Sequence, residues 1–303
     1  MAWKEQKSLL NKIMKIKTIL TFILMITPIS VYGNFLKLKT PAKQVILYDH
    51  ELKKVLFEKN SNDLMKPASM AKIMTAYIVF DRLQEGSLNL EDKFVVSKNA
   101  WKKGGSRTFL KLNSEVTISD LLMGLIVQSG NDAAIVLAEG IAGSEEDFAL
   151  QMNQYANLLE MNNTYFTNST GWPHEDLKTT AYDLVKLTEA LINNFPKLYK
   201  LFIEKEFTFN NIRQPNRNPL LIGRYKVPGA DGLKTGHTNE SGYGLIGSVV
   251  RKKRRITLVV NGLNSMKQRG KESKRLLELA FRETYILRAF QDNNILSTAN
   301  VWL

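Results

Sequence analysis

The eight residues 73–80, IMTAYIVF, contain a single polar side chain, and this stretch limits the fold more than any other part of the 303-residue chain. Pro67 precedes it at a position typical of a first helical turn, and Gly86 follows at a position typical of a helix end. A helix that is apolar on nearly every side is stable only when other elements surround it. The sequence therefore predicts a buried central helix between Pro67 and Gly86.

Segments of β type flank a helical middle. Residues 44–58 predict two strands around a turn at Asp49-His50-Glu51, and several short β-rich runs follow Phe207, the last two joined by a turn at residues 251–255. The other predicted helices are residues 119–128, 131–142, 181–192 (preceded by a capping box from Thr180 to Asp183) and 273–285. This order predicts an α+β, mixed three-layer domain.

Residues 1–33 have the pattern of a secretory signal peptide. Lys15 and Lys17 precede an apolar run, Ile19 to Ile29, which is followed by small residues up to Gly33. Met14 fits the start of such a signal better than Met1. The alternative is an uncleaved N-terminal anchor. In both cases we expect the body of the protein outside the cytoplasm, in the periplasm or on the outer face of the inner membrane.

The composition excludes several classes of protein. The net charge is +13, and removing residues 1–33 leaves +9, because that segment carries five lysines and one glutamate. A basic surface favours anionic partners such as phospholipid headgroups, wall polymers or nucleic acid. No basic stripe interleaved with aromatics supports nucleic acid, so we expect a solubilising surface and no nucleic-acid partner. With no cysteine, the chain has no disulfide scaffold and no thiol nucleophile.

The first candidate site element is Ser69-Met70-Ala71-Lys72, at the start of the predicted central helix. A spacing of three residues puts Ser69 and Lys72 on one helical face. A hydroxyl is a weak nucleophile that needs a base nearby, and a lysine in apolar surroundings has a lowered pKa and can be that base. An ordinary surface serine and lysine would give the same pattern, but the apolar run after Lys72 argues against this alternative.

Two further elements contain polar side chains at turns and strand edges. Ser129-Gly130-Asn131 lies in a tight link between two apolar helices, where a hydroxyl can pass on a proton and an amide can hold a peptide group; an ordinary turn is the alternative. Lys234-Thr235-Gly236 lies on a predicted strand and offers donors for a carboxylate. The alternative for this element is an edge strand protected by lysine.

The ordered set of three elements resembles the S-x-x-K, S-x-N and K-T-G pattern of penicillin-recognising serine enzymes. From about Val45 to Leu303 the chain is similar to one branch, the D-alanyl-D-alanine carboxypeptidases among the low-molecular-mass penicillin-binding proteins (peptidase family S11). The runs that carry this similarity are KPASMAKIMTAYIVFDRL, IVQSGNDAA, KEFTFNNIRQPNRNPLL and DGLKTGHT. The resemblance implies a β-lactamase/DD-peptidase-like transpeptidase fold, with an antiparallel sheet and a helical subdomain.

The resemblance also implies a role for each site residue. Ser69 would form the acyl-enzyme with Lys72 as its base, and Ser129 would relay the proton. Asn131 would help to hold the substrate, while Lys234 with Thr235 would bind its terminal carboxylate. The backbone N–H groups of Ser69 and His237 would form the oxyanion hole. The implied partners are a peptidoglycan stem peptide ending in D-Ala-D-Ala and β-lactams as covalent inhibitors; contact with a membrane surface stays open.

The resemblance further implies a division of the chain. Residues 34–287 would form the DD-peptidase domain. Residues 288–303 look like the first strand of a β-rich second domain that is cut short, so we expect this strand to be poorly packed or irregularly paired and a C-terminal membrane anchor to be missing.

Other catalytic classes fit less well. The three histidines, His50, His174 and His237, are not accompanied by a G-x-S-x-G or H-E-x-x-H motif, so we expect no Ser-His-Asp triad, no metal and no cofactor. A class A β-lactamase would need a glutamate in an E-x-x-L-N pattern, and the corresponding stretch offers Glu160 and Glu175 without it. A DD-endopeptidase and a non-catalytic wall-binding relic remain as further alternatives.

Overall fold

The computed structural model describes residues 38–288 and 298–301. The predicted signal peptide, residues 1–33, lies outside the described residues, as do residues 289–297 of the C-terminal segment. Within the described part of the chain, no helix has both the length and the hydropathy needed to cross a membrane.

Eleven strands among the described residues form one large sheet and three small ones. The strands are β1 (Gln44–Asp49), β2 (Lys54–Lys59), β3 (Lys93–Val95), β4 (Glu115–Thr117), β5 (Glu206–Phe209), β6 (Ile212–Pro215), β7 (Ala230–Thr238), β8 (Gly242–Arg251), β9 (Arg254–Leu263), β10 (Tyr285–Arg288) and β11 (Thr298–Val301). The large sheet has the order β2-β1-β9-β8-β7, and all its neighbours are antiparallel. Strand β7 therefore lies at one edge of the sheet.

Seven α-helices accompany these strands in residues 38–288. They are α1 (Lys72–Glu85), α2 (Lys98–Lys102), α3 (Ile118–Met123), α4 (Asn131–Ala142), α5 (Glu145–Leu158), α6 (Ala181–Asn194) and α7 (Met266–Glu283). Helix α1 is the predicted central helix: all nine of its residues from Lys72 to Phe80 are buried. It packs against α4, α5 and α6, which together form a helical region beside the sheet.

The sheet is covered on both faces. The strands β8 and β9 are buried along nearly their whole length, a pattern that requires packing on each side of a sheet. Helix α7 packs on β8 and β9 through its apolar face, which includes Leu276, Leu277 and Ala280, while α6 packs on β1 and β9. The predicted α+β, three-layer fold with an antiparallel sheet and a helical subdomain is confirmed.

Several predicted helix boundaries were wrong, and three of them bear on the site or have a clear physical cause. The central helix is not continuous from Pro67, because residues Ala68–Ala71 form a separate 3₁₀ turn before α1. Helix α3 begins one residue before Ser119, because the hydroxyl of Thr117 accepts a hydrogen bond from the backbone N–H of Asp120 and caps it. Helix α7 begins at Met266, seven residues before the predicted start, since its first two turns are too polar to show an apolar stripe.

Other predicted details are confirmed. The hydroxyl of Thr180 accepts from the backbone N–H of Asp183 and caps α6. The turn between β8 and β9 has Lys252 and Lys253 at its centre, both with positive φ angles. Residues Thr40–Glu283 form one compact unit.

The C-terminal segment is described by itself. Residues Tyr285–Arg288 pair antiparallel with Thr298–Val301, with Tyr285 opposite Val301 and Arg288 opposite Thr298. Residues 289–297 of the expected strand lie outside the described residues, so its poor packing or irregular pairing stays a prediction. The division at residues 287 and 288 stays a prediction.

Candidate active site

Ser69 lies in the 3₁₀ turn Ala68–Ala71, directly before α1. Ala68 has a φ angle of 49°, which is unfavourable for a residue with a side chain, and it is almost fully buried. Gly171 is pressed against this turn, because a β-carbon built on it would lie 1.9 Å from the carbonyl oxygen of Ala68. The surrounding structure therefore holds the turn that carries Ser69 in a well-defined conformation, with the backbone strain at Ala68.

Lys72, one helical turn beyond Ser69, is only 1% exposed. Its Nζ lies 3.1 Å from Ser69 Oγ, 2.7 Å from Asn131 Oδ1 and 2.6 Å from the carbonyl oxygen of Thr170. A neutral amine has two N–H donors and one lone pair. The two carbonyl oxygens can accept both donors, which leaves the lone pair for the hydroxyl of Ser69.

The environment of Lys72 favours this neutral form. Burial, followed by the positive charge of Arg217, lowers the pKa of Lys72 from 10.5 to about 7. A base with a pKa near 7 is unprotonated in a large fraction of molecules at neutral pH and can still hold the proton that it removes. Ser69 and Lys72 thus have the geometry and the proton affinity of a nucleophile and its base.

Ser129 lies in the tight link before α4, and Asn131 is the first residue of that helix. Ser129 has a φ angle of 62°, and its buried Oγ has no hydrogen-bond partner among the described residues. Both ends of the Asn131 amide have a partner: its Oδ1 contacts Lys72, and its Nδ2 donates one hydrogen bond to the carbonyl oxygen of Gly104 at 2.7 Å. This geometry shows Asn131 positioning the base, and its contact with substrate stays a prediction.

Asp132, next in sequence, was missed by sequence reasoning. Its buried carboxylate accepts hydrogen bonds from the backbone N–H groups of Thr108, at 2.8 and 3.1 Å, and Leu110, at 3.2 Å. These bonds tie the segment 104–110 to the start of α4. Because the partners are backbone groups, no side-chain motif at residues 108–110 could have revealed them.

The edge strand β7 holds the third motif. Lys234 is 3% exposed and Thr235 is 6% exposed, so this lysine does not serve to protect an exposed strand edge. Burial and the charge of Lys72 lower the pKa of Lys234 well below its ordinary value. A β-carbon on Gly236 would lie 2.7 Å from the carbonyl oxygen of Pro67, so glycine allows β7 to approach the turn that carries Ser69.

His237 follows on the same strand with an exposed side chain. Its imidazole stacks on the ring of Tyr243, with 3.9 Å between centroids. No hydrogen bond from the imidazole reaches Ser69 or Lys72 among the described contacts, which agrees with a role for its backbone alone. The oxyanion hole formed by the N–H groups of Ser69 and His237 stays a prediction.

The predicted residues meet at one cavity of about 720 Å³. Its lining includes Ser69, Ser129, Asn131, Thr235 and His237, with the buried amines of Lys72 and Lys234 behind it. Each of the three sequence motifs, separated by up to 167 positions along the chain, therefore contributes to a single site.

A comparison with protein families agrees with this geometry. The model of the D-alanyl-D-alanine carboxypeptidase family, peptidase S11, matches residues 35–265, more than half of the chain. The chain belongs to this family. The carboxypeptidase DacC of Escherichia coli is 40% identical over 267 residues, which cover 86% of this chain and 66% of the relative. The chain thus spans slightly less than two thirds of the length of that relative.

Solved structures of penicillin-binding proteins and carboxypeptidases share the fold. The DacD carboxypeptidase of Francisella tularensis superposes with a TM-score of 0.81 at 31% identity, covering 85% of this chain and 74% of that one. Penicillin-binding protein D2 of Listeria monocytogenes, in an ampicillin-bound form, superposes with a TM-score of 0.73 at 27% identity. The match covers 80% of this chain and 98% of that one.

Two arginines of this family member line the cavity and were not singled out from the sequence. Arg217 and Arg269 both have a pKa lowered by burial, in Arg269 to about 10. Neither forms an ion pair with an acidic side chain among the described residues. Arg217 lies within the run that carried the family similarity, but its charge alone did not distinguish it from many surface arginines.

The cavity is strongly cationic. Among the described residues that line it, none is aspartate or glutamate. Glu145 and Asp132 are the acids whose charges influence Lys72, and both are engaged elsewhere: Glu145 Oε1 accepts from the hydroxyl of Ser169 at 2.6 Å. The site is therefore suited to a substrate with a negative charge.

Proposed function

We propose that this chain is a serine D-Ala-D-Ala carboxypeptidase that removes the terminal D-alanine from peptidoglycan stem peptides. The observation that carries the proposal is the buried amine of Lys72, 3.1 Å from Ser69 Oγ and with a pKa lowered to about 7. The family membership supports the same reaction. A wall-binding relic would have no need to maintain a buried lysine with a lowered pKa beside a serine in a strained turn.

Acylation follows from the contacts of Lys72. Its lone pair takes the proton of Ser69 as Oγ attacks the carbonyl carbon of the penultimate D-alanine. The negative oxygen of the tetrahedral intermediate would be held by the N–H groups of Ser69 and His237. Ser129, whose hydroxyl has no other partner among the described residues, relays the proton that Lys72 took from Ser69 to the leaving nitrogen, and D-alanine departs. Water then hydrolyses the ester on Ser69.

The cationic end of the cavity supports recognition of the terminal carboxylate. Lys234 has one long hydrogen bond, 3.5 Å to the carbonyl oxygen of Thr235, and so retains donors for a ligand. Arg217 and Arg269 line the same cavity, and no acid of the described chain pairs with them. A carboxylate that binds here removes the mutual repulsion of these cations and gains charge-assisted hydrogen bonds.

The decisive experiment measures free D-alanine after incubation of the purified protein with a pentapeptide ending in D-Ala-D-Ala. We expect release by the wild type and none by Ser69→Ala, while the two proteins unfold at similar temperatures. A peptide ending in D-Ala-L-Ala controls for unspecific peptidases. Equal release by the wild type and Ser69→Ala would refute the proposal.

β-Lactams should acylate Ser69, and the acyl-enzyme should be hydrolysed only slowly. The Listeria relative has been crystallised with ampicillin, and the described lining of this cavity contains no carboxylate to activate a deacylating water. Glu160 and Glu175 are exposed and do not line it. We expect one equivalent of penicillin to be bound covalently, with little further hydrolysis. Rapid continuous turnover in a spectrophotometric assay would instead favour a β-lactamase.

Two other points complete the proposal. The pattern of residues 1–33 supports export, which would bring the enzyme to its substrate outside the cytoplasm.

A DD-endopeptidase would use the same groups on a larger leaving group. Comparing the release of D-alanine from a pentapeptide with the cleavage of a crosslinked dimer of stem peptides separates the two activities, and we expect the first to be faster.

A further inference from the structure

The cavity ends at a rim that the proposed reaction does not use, formed by Trp172 on one side and by the segment with Lys103 and Gly105 on the other. Trp172 lies there with 42% of its surface exposed, and the Nζ of Lys103 lies 4.9 Å from the centre of its indole ring. The ammonium of Lys103 forms no ion pair and no hydrogen bond with another side chain in the described part of the chain. The rim therefore combines a flat apolar surface with an uncompensated positive charge.

The position of Trp172 is well determined. Its backbone N–H donates to Asn168 Oδ1 at 2.9 Å and to Thr170 Oγ1 at 3.1 Å, and its carbonyl accepts from Asn168 Nδ2 at 3.1 Å. The preceding residue, Gly171, has a φ angle of 73° and touches the turn that carries Ser69. The indole is thus held at a fixed place relative to the nucleophile.

The segment with Lys103 is adapted to the indole. Gly105 has a φ angle of 81°, and a β-carbon on it would lie 3.1 Å from the ring of Trp172 and 2.8 Å from Asn131 Nδ2. Only glycine allows this close contact. The segment is also anchored by the hydrogen bond from Asn131 to Gly104. Both halves of the rim are therefore formed before any ligand binds, which lowers the cost of binding.

The rim lies at the Lys72 end of the site. Asn131, whose Oδ1 lies 2.7 Å from Lys72 Nζ, also contacts Gly105 of the rim, and Gly171, which precedes Trp172, touches Ala68 in the turn that carries Ser69. If the terminal carboxylate binds near Lys234, the part of the peptide that precedes the scissile bond extends towards Lys72 and the rim.

We propose that Lys103 and Trp172 form a subsite for the side chain of the residue before the D-Ala-D-Ala unit, and that this subsite selects a flexible aliphatic chain ending in a free carboxylate. The inference rests on the proposed function. Methylene groups would pack on the indole, and the carboxylate would pair with the ammonium of Lys103. A side chain that ends in an ammonium alone finds no acid among the described residues that line this cavity.

Two matched peptides test the selection. Both end in D-Ala-D-Ala and have a 2,6-diamino dicarboxylic acid at the preceding position, with its side-chain carboxylate free in one and amidated in the other. We expect the wild type to hydrolyse the free acid with a kcat/KM about 2- to 5-fold higher, mainly through KM and less so at high salt, as for a partly exposed ion pair.

Variants then identify the residues that select the side chain. The readout is the ratio of kcat/KM for the free-acid peptide to kcat/KM for the amidated peptide, because a change in the pKa of Lys72 affects both peptides equally and cancels in this ratio. In Lys103→Gln the ratio should fall to about 1, and in Lys103→Glu the amidated peptide should become the better substrate. Trp172→Ala should raise KM for both peptides while a preference for the acid remains. Lys102→Gln, at the exposed neighbouring lysine, is the matched control and should keep the wild-type ratio.

The outcomes separate this inference from the proposed function. If the wild type releases D-alanine from both peptides with equal kcat/KM, or if Lys103→Gln keeps the wild-type ratio, the subsite is refuted and the carboxypeptidase activity stands. If neither peptide releases D-alanine, the proposed function fails and the subsite with it.

Discussion

In the proposed reaction Lys72 has the central role, because its Nζ lies 3.1 Å from Ser69 Oγ and burial lowers its pKa to about 7. The spacing of Ser69 and Lys72 and the apolar sequence after them were sufficient to predict this pair. The acceptors that complete the arrangement, Asn131 Oδ1 and the carbonyl oxygen of Thr170, lie 59 and 98 positions away. The backbone acceptor in particular has no sequence signature.

We expect kcat/KM to depend on the protonation of Lys72. Because burial lowers its pKa to about 7, kcat/KM should fall about tenfold per pH unit below that value and level off above it. Lys72→Arg, which stays charged, should lose about 10²- to 10⁴-fold of the activity. A profile of D-alanine release between pH 5 and 9 measures both effects.

Arg217 offers an independent check of this assignment. Its charge is the second largest cause of the lowered pKa of Lys72. In Arg217→Gln the acid limb should therefore move to higher pH, whatever happens to the maximal rate. A wild-type profile that stays flat down to pH 5 would contradict the role of Lys72 as the base.

Among the elements, the link before α4 has the greatest influence on the site. It provides the unpaired hydroxyl of Ser129 and leads into the first two residues of α4, where Asn131 contacts Lys72 and Asp132 anchors residues 104–110. The sequence predicted the link and its first two polar side chains. It could not predict the contribution of Asp132, because the segment that this carboxylate holds is irregular and lies more than 20 positions away.

We expect Asp132→Asn to loosen the segment 104–110. An amide offers one acceptor where the carboxylate offers two. With its oxygen at the Oδ1 position the N–H of Leu110 loses its partner, and with its oxygen at the Oδ2 position the new NH2 group faces the N–H of Thr108 at 2.8 Å. The free energy of unfolding should fall by about 1–3 kcal/mol, and acylation by penicillin should slow. Urea unfolding and the rate of labelling by a fluorescent penicillin measure the two effects.

Asp120→Asn is the matched control, because Asp120 lies in the first turn of α3, outside the link that holds residues 104–110. Its effect on unfolding should stay within about 0.5 kcal/mol. If the two variants lose equal amounts of unfolding free energy and of labelling rate, Asp132 has no special role in holding residues 104–110.

For the whole molecule, the three-layer arrangement could be predicted from one buried helix and the β-rich runs around it. Helix ends were less predictable where local polar groups compete with the apolar pattern, as in the first turns of α7. The break between Ser69 and α1 was unpredictable for another reason: the left-handed φ angle of Ala68 is imposed by the packing of Gly171 and Gly236 around that turn.

Stability of the whole domain should decrease in mild acid because of His50. Burial, followed by the charge of Arg255, lowers its pKa from 6.5 to about 4, and its Nε2 is hydrogen-bonded to Thr257 at 2.8 Å. Between pH 6.5 and 4 the unfolded chain binds a proton that the folded chain does not, so the free energy of unfolding falls as the pH falls, by on the order of 2–3 kcal/mol.

Unfolding in urea at pH 7 and pH 4.5 measures this loss. His50→Gln, which keeps a side chain able to bond Thr257, should lose most of the difference between the two pH values. His174→Gln, at an exposed histidine, should keep it. An unchanged pH dependence in His50→Gln would assign the acid sensitivity to other groups.

Among the described strands, β7 has β8 as its only neighbour, and its residues Thr235 to Thr238 line the cavity. Its outer peptide groups are therefore available to an extended peptide, which could lie alongside as one more strand. Main-chain pairing of this kind is indifferent to the identity of side chains. Under the proposed function, discrimination between peptides would therefore depend on their two ends. The cations near Lys234 would select one end, and the indole of Trp172 with Lys103 would select the other.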